Sequence, residues 1–331
     1  MHPYPLIFEP ILKEKVWGGR RLEMLGKSLP GNTMVGESWE LADLGSTSAD
    51  GGGGDAAHSV IANGEMRGLH IHQAIVAQGA NLLGHLSLTE RGGFPLLVKY
   101  LDARENLSVQ VHPSPTYAET HPGAHLKTES WYVVHAEPGS KIYHGLKPGT
   151  DPASFAAHIA AGSVEGDLVA IDAVVGDVHH LPSGTCHALG AGVLVAEVQT
   201  PSDTTFRVHD WGREGRTLHV DQAMACIDFT SAREAQPIRS DGSPHSALVS
   251  TPHYALAEVR SEGDEQRSIE THEDKPVVWM VMQGGGRLES EDGGFEPVRF
   301  ETGTTMLIPA LLDGVRCVFE RASTVLEVRF P

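Results

Sequence analysis

Apolar and polar residues alternate or bunch over short stretches along most of this chain, which is the period of extended strands. Such runs occupy 94–101 (FPLLVKYL), 107–112 (LSVQVH), 130–136 (SWYVVHA), 167–172 (DLVAID), 192–200 (GVLVAEVQT) and 204–211 (TTFRVHDW). A second set lies near the end, at 255–260, 276–283, 305–309, 316–320 and 324–330. Gly, Pro and Asp punctuate them at close intervals, so the expected class is mostly β, a sandwich or barrel. Helical spacing is confined to 68–84, 151–162 and 219–229. The stretch 46–59 (STSADGGGGDAAHS) reads as a solvent loop and 231–244 as a linker, which divides the chain into 1–235 and 236–331.

An internal echo supports a duplicated unit. WYVVHAEPG from Trp131 has the shape of WMVMQGGG from Trp279, an aromatic-led strand that ends in glycine. Downstream, Gly176 precedes Pro182 as Gly303 precedes Pro309, but the second copy lacks the glycine and histidine that follow the first proline. One equipped and one unequipped copy is the reading.

Composition narrows the partners. At 331 residues, with 40% hydrophobic content, the chain is long enough for two cores. Its net charge of −18 argues against nucleic acid or an anionic membrane as partner, while a few local cations still suffice for a small anionic substrate. Three scattered cysteines, Cys186, Cys226 and Cys317, do not make a disulfide framework, and the first residues carry no basic-then-apolar leader. A cytoplasmic monomer or homodimer is expected.

The chemistry concentrates between residues 107 and 213. Gln110 and His112 lie two apart on a strand, hence on one face, and Pro113 ends the ladder after them. As a pair they suit a polar sheet face as well as a metal site. Glu129, opening a strand with apolar neighbours two residues after Lys127, shifts the balance, and His187 follows the tight LPSGTC turn. Oxygen and imidazole donors suit Zn²⁺ and leave room for water or substrate. His179 and His180 precede that turn and read as strand or turn residues. Glu197 shares a strand face with Val193, Val195 and Gln199; it is either a solvent-facing carboxylate or an acid/base group in a cavity. Arg207 alternates with Phe206 and Val208 and is either a surface ion-pair partner or a fixed guanidinium for an oxyanion or a phosphate.

Gly176, Pro182, Gly184 and His187 fit G-x5-P-x-G-x2-H, the second cupin motif. With SVQVHP, KTE, HALGAGVLVAEVQTPSDTTFRVHDWGR, FEPILKEKVWGGRRL, GESWELAD, FPLLVKYLDA and LHVDQAMACIDF, nearly the whole chain resembles the type I phosphomannose isomerases of short bacterial form. The resemblance implies two cupin-type jelly-roll barrels with a small helical insertion, the first barrel alone holding metal. It puts one Zn²⁺ on Gln110, His112, Glu129 and His187, and it makes Arg207, Lys127 and Glu197 active-site residues, with Lys99, Glu40 and Trp17 as substrate residues. It implies interconversion of mannose 6-phosphate and fructose 6-phosphate through a cis-enediol. A non-catalytic sugar-phosphate-binding bicupin, or an isomerase or epimerase of another sugar, is the alternative. The chain departs from the family at the glycine-rich insertion 51–54 and at Phe206 and His209, where tyrosines are frequent.

Overall fold

The computed structural model describes residues 2–45, 56–230, 236–269 and 274–331. The insertion at 51–54 and the first five residues of the expected linker lie outside these. What is described is mostly β, arranged as cupin-type jelly rolls.

Two antiparallel sheets form the first unit. One runs Val178–Leu181, Glu129–Ala136, Val193–Gln199, Leu97–Ala103, Val35–Leu41 and Ile11–Gly19 in spatial order. The other runs Leu168–Asp172, Lys141–Leu146, His187–Leu189, Val109–Val111 and Phe206–His209. Neighbours in space are distant in sequence, as jelly-roll crossovers require. Trp131, Val133, Leu101 and Val195 of the six-stranded sheet meet Ile142 and Leu189 of the five-stranded one, so a shared core lies between them.

Each outer face is also covered. Helices Pro152–Ala161 and Val220–Cys226 pack Phe155, Ala223 and Cys226 against Val109, Val111, Ala188 and Phe206 of the five-stranded sheet. These are two of the three helical segments expected from the sequence, the first of the three folding as Ile71–Gln78 and Ala80–Leu83, and Asp151 caps Pro152–Ala161 by accepting from the Ala153 and Ser154 amides. The far face of the six-stranded sheet (Val98, Tyr100, Leu194, Ala196, Val198) packs against Leu256, Val278, Leu307 and Leu326 of the last hundred residues. Buried on both faces, Leu97–Ala103 and Val193–Gln199 contain no exposed position. That is why their sequences read as apolar runs and not as alternation.

The last part of the chain supplies seven strands of an eight-stranded antiparallel sheet built around Val277–Ser290 and Val315–Arg329. These long strands bend where the ladder shifts between Gln283 and Gly286. Gly284 has φ +99°, and a Cβ there would stand 2.1 Å from Ser323 Oγ, so the bend requires glycine. Its interior is closed by Trp279, Phe300, Phe319, Met306 and Ile308 with no polar cluster among them. The N-terminal Leu6–Ile7 strand joins this sheet, Leu6 opposite Leu307. Ile238, in the expected linker, exchanges both backbone hydrogen bonds with Val178 at the edge of the six-stranded sheet.

Candidate active site

Strand register brings the chemistry together. Arg207, Gln110, His187 and His144 stand in one row across the five-stranded sheet. Facing it, Trp131, Glu197, Lys99 and Trp39 form a row across the six-stranded sheet. Residues opposite one another point to the same side, so both rows look into the space between the sheets.

At the buried end, His112, Glu129 and His187 offer ligand atoms within 4.8 Å of one another. His187 Nε2 lies 3.1 Å from Glu129 Oε1, and His112 Nε2 lies 3.4 Å from Glu129 Oε2. The backbone fixes both tautomers. His112 Nδ1 is 2.9 Å from the Thr204 carbonyl and His187 Nδ1 is 2.8 Å from the Thr185 carbonyl. A carbonyl only accepts, so each neutral ring carries its proton on Nδ1 and turns an Nε2 lone pair inward. His112 Nε2 and Glu129 Oε1 are buried without a hydrogen bond, and Glu129 Oε2 meets the Lys127 ammonium at 2.7 Å. Buried acceptors aimed at one another are costly unless a cation lies between them. This donor set therefore fits a divalent transition ion.

Gln110 stands at the edge of the triad. Its Oε1 takes a hydrogen bond from Ser108 at 3.2 Å and its Nε2 is 3.3 Å from His187 Nε2. A half-turn of the amide exchanges the two atoms and presents the oxygen as a fourth donor.

Turn chemistry explains how His187 arrives. Thr185 N donates to Pro182 O and Gly184 N donates to His112 O, so the turn is tied to the strand end that carries the other imidazole. Gly184 has φ +88°. His179 and His180, as expected, sit on the preceding strand. His180 Nδ1 lies 2.9 Å from Ser130 Oγ, whereas His179 faces inward with neither ring nitrogen bonded.

Beside the triad the cleft is lined with charge. Lys127 Nζ stands 2.7 Å from Glu129 Oε2 and 3.5 Å from Glu197 Oε1, which is also 3.3 Å from Lys99 Nζ. Trp131 Nε1 donates to the other oxygen of Glu197 at 3.1 Å. Burial, then the Glu129 charge, raises the Glu197 carboxyl well above the ordinary range despite both lysines. Burial alone would also raise Glu129, but the adjacent Lys127 ammonium outweighs it and holds the carboxyl low. Across the cleft, Arg207 is 6% exposed, and its Nη1 donates to Thr217 O at 2.7 Å while its buried Nε has no partner. Burial, then Arg216 nearby, lowers its pKa to about 10.

Trp17 and Lys99 line the cleft. Glu40 does not: it lies on the other face of its strand, where its carboxylate takes hydrogen bonds from Lys27 Nζ at 2.6 Å and Ser38 Oγ at 2.5 Å. The carboxylate of GESWELAD that reaches the cleft is Glu37, with Trp39 beside it. Burial pushes Glu37 up, but Lys99 and Lys15 outweigh that and hold it at about 2. Period-two alternation separates Glu37 and Trp39 from Ser38 and Glu40, and this signal was available in the sequence. Lys15, Ser108, Thr205 and Arg216 also line the cleft, and nothing in the local pattern singles them out.

The Trp–Glu contact has a counterpart in the last part of the chain. Trp279 Nε1 donates to Glu327 Oε2 at 3.0 Å, so the Trp131/Trp279 echo extends to a tertiary contact. There, however, Val277 and Ile308 stand in the core and no imidazole–carboxylate triad is present among the described residues.

Comparison with known proteins agrees with this geometry. A family model, phosphomannose isomerase type I, catalytic domain, matches residues 6–142, a span that includes Gln110, His112 and Glu129. The chain is 32% identical over 318 residues to the mannose-6-phosphate isomerase of Streptococcus mutans, covering 92% of each. It is also 32% identical over 315 residues to the mannose-6-phosphate isomerase ManA of Bacillus subtilis, covering 92% of this chain and 93% of that one. The crystal structure of the mannose 6-phosphate isomerase from Bacillus subtilis superposes with a TM-score of 0.82 at 27% identity, covering 98% of this chain and 99% of that one. The chain belongs to the type I phosphomannose isomerase family.

Proposed function

We propose that this chain interconverts mannose 6-phosphate and fructose 6-phosphate, with one Zn²⁺ held by His112, Glu129 and His187 and by Gln110 once its amide oxygen turns inward. The observation that carries the reading is the buried triad with unspent lone pairs, set beside a lysine–glutamate cleft that Arg207 faces. Zinc suits two imidazoles, a carboxylate and an amide oxygen, and when bound it supplies positive charge and Lewis acidity toward the sugar oxygens.

The chain's own residues account for the proton transfer. Glu197 is the base that removes the proton from C2 of the open-chain aldose and returns it to C1. Its raised pKa makes the carboxylate basic enough for that task, and Trp131 fixes its orientation. The cis-enediol(ate) places negative charge on an oxygen, and Arg207 Nε, buried and unspent, is a preorganised donor for it. Lys127 and Lys99 neutralise Glu129 and Glu197 in the resting cleft, and they help hold the sugar's anionic groups. Trp17 walls the cleft. Residues 1–235 form the catalytic domain and 236–331 a degenerate second copy whose former site is filled by apolar side chains. Work on a soluble sugar phosphate accords with a cytoplasmic setting.

The decisive experiment incubates purified, zinc-loaded protein with fructose 6-phosphate and follows mannose 6-phosphate. Turnover that disappears with a chelator and returns with Zn²⁺ is expected; binding of the sugar phosphate without conversion would make the chain a sensor. His187→Ala should lose both the ion and activity while keeping its fold by circular dichroism. A fully active, ion-free variant would refute the proposal.

A further inference from the structure

The proposed substrate carries a phosphate dianion, and the lysines of the cleft are already matched by carboxylates. Lys15 Nζ lies 3.2 Å from Glu37 Oε1, Lys99 Nζ 3.3 Å from Glu197 Oε1 and Lys127 Nζ 2.7 Å from Glu129 Oε2. The wall formed by Arg207 and Arg216 is different. Arg207 donates to a neutral carbonyl, Thr217 O, and Arg216 shares the Asp210 carboxylate with Arg213. Glu105 stands 3.8 Å from Arg213, and Asp203, which also lines the cleft, acts on His125. Positive charge is therefore in excess where Arg207 and Arg216 meet. After burial, Arg216 is the largest influence holding the Arg207 pKa down.

Asp210 and a strained turn hold this corner in place. Asp210 is 5% exposed, and its Oδ1 and Oδ2 accept from Arg216 Nη1 at 2.8 and 3.1 Å. Oδ1 also accepts from Arg213 Nη2 at 2.6 Å. The turn from Asp210 to Arg213 closes with Arg213 N donating to Asp210 O at 3.0 Å. Both its central residues have positive φ, Trp211 at +55° and Gly212 at +79°, a conformation that disfavours tryptophan. Trp211 is held there by its Nε1, which donates to Leu107 O on the cleft wall at 2.5 Å, and by its ring, 5.4 Å from that of Tyr143. Strain of this kind persists where the surroundings impose it, and it clusters at ligand sites. Among the described residues the Arg216 guanidinium turns only Nη1 to a protein partner, so the Nε–Nη2 edge of the planar fork is open to a second anion.

Distance along the cleft agrees. Arg207, Gln110 and His187 stand on adjacent strands, so two strand spacings, about 9–10 Å, separate the first from the last. Six bonds of about 1.5 Å join C2 of the open-chain sugar to phosphorus, a reach of at most about 9 Å. A sugar whose reacting carbons lie beside the triad thus sets its phosphate at the edge strand Phe206–His209 or just outside it. Outside that strand runs the segment that carries Arg216, tied on by His219 N donating to Arg207 O at 2.7 Å.

We propose that Arg216, positioned by Asp210, recognises the substrate's phosphate and so makes the chain prefer a sugar phosphate over a neutral sugar. The inference rests on the isomerase reading and deepens it. Arg216 is the binding residue, and Asp210 acts through it.

The test compares steady-state kinetics of the zinc-loaded, full-length protein on fructose 6-phosphate and on unphosphorylated fructose. Arg216→Gln should raise KM for the phosphorylated sugar by about 10–100-fold, as loss of a charge-assisted contact does, with a smaller change in kcat. The ratio of kcat/KM for fructose 6-phosphate over fructose should fall by a similar factor; a merely structural arginine would lower both alike and keep the ratio. Asp210→Asn should move the ratio in the same direction, and Arg216→Lys should restore part of it. An unchanged ratio and KM in Arg216→Gln overturn the proposal, as does a KM rise found in Lys15→Ala instead. Binding of inorganic phosphate, followed by titration calorimetry, is the independent arm, and Arg216→Gln should weaken it by a similar factor. If the wild type binds phosphate through Arg216 yet converts no sugar, the isomerase reading fails and the anion site stands. Turnover with phosphate affinity intact in Arg216→Gln is the reverse.

Discussion

At the residue scale the cleft separates two tasks that a single point change can distinguish. Glu197→Gln keeps the volume and the Trp131 contact but cannot take up a proton, so kcat should fall by about 10²–10⁴ with the bound ion unchanged. Arg207→Ala should reduce kcat by about 10²–10³, as loss of one preorganised oxyanion donor does. Steady-state kinetics beside metal analysis decides both. If Arg207→Ala raised KM alone, the guanidinium would bind substrate equally in ground and transition states, and its proposed role would fail. Both side chains were legible as candidates because a charged residue within an apolar run is informative wherever both sheet faces are buried. Glu40 shows the limit of that logic. The resemblance points to Glu40, whereas Glu37, three positions earlier and so on the opposite face of the same strand, is the carboxylate beside Lys99.

At the element scale, position comes from turns and register. Gly184 is the sharpest case, since its φ of +88° aims the strand that carries His187 and a Cβ there would sit 3.1 Å from Cys226 O. Gly184→Ala should cost about 1–2 kcal/mol from backbone strain, read as a lower urea midpoint, and should weaken ion retention because the turn moves His187. Intact ion affinity in a destabilised variant would mean the turn serves folding alone. The proline and glycine of this turn were visible in the sequence, as were the long apolar strands. Ile11–Gly19 and Val35–Leu41 were not, because Lys, Glu and Gly interrupt them, and of those polar residues Lys15 and Glu37 line the cleft. The short helix Pro115–Thr120 lies outside the segments that show helical spacing. Six residues carry too little periodicity, although Ser114 caps it by accepting from Tyr117 N.

At the scale of the whole molecule, the two halves share a large apolar core with a few buried polar contacts crossing it. Tyr132 Oη donates to Glu258 Oε2 at 2.7 Å, and Ser130 Oγ lies 3.0 Å from Tyr254 Oη. Tyr132→Phe would leave a buried carboxylate oxygen short of a donor and should cost about 1.5–3 kcal/mol in urea unfolding. Acid sensitivity is a second property of the packed whole. Burial depresses His179 to about 4, and burial together with His179 depresses His144 to about 3; their rings are 5.8 Å apart. An unfolded chain protonates these imidazoles near the ordinary value of 6.5, whereas the folded chain refuses the proton until much lower pH. The unfolded state therefore binds more protons below 6.5, and stability declines as pH falls from 6.5 toward 4, by about 1.4 kcal/mol per pH unit for each group. Depressed carboxylates such as Glu37, held at about 2, begin to contribute only below about 4.5, and the raised Glu197 carboxyl opposes the histidines in the upper window, so a histidine substitution is needed to isolate their share. Urea unfolding of the chelator-treated protein at pH 7 and pH 5 isolates the effect from ion loss. His179→Leu should shrink the stability lost between those two pH values by about 2 kcal/mol. An unchanged loss would mean that His179 takes up its proton inside the folded barrel, with water admitted to the space behind the triad.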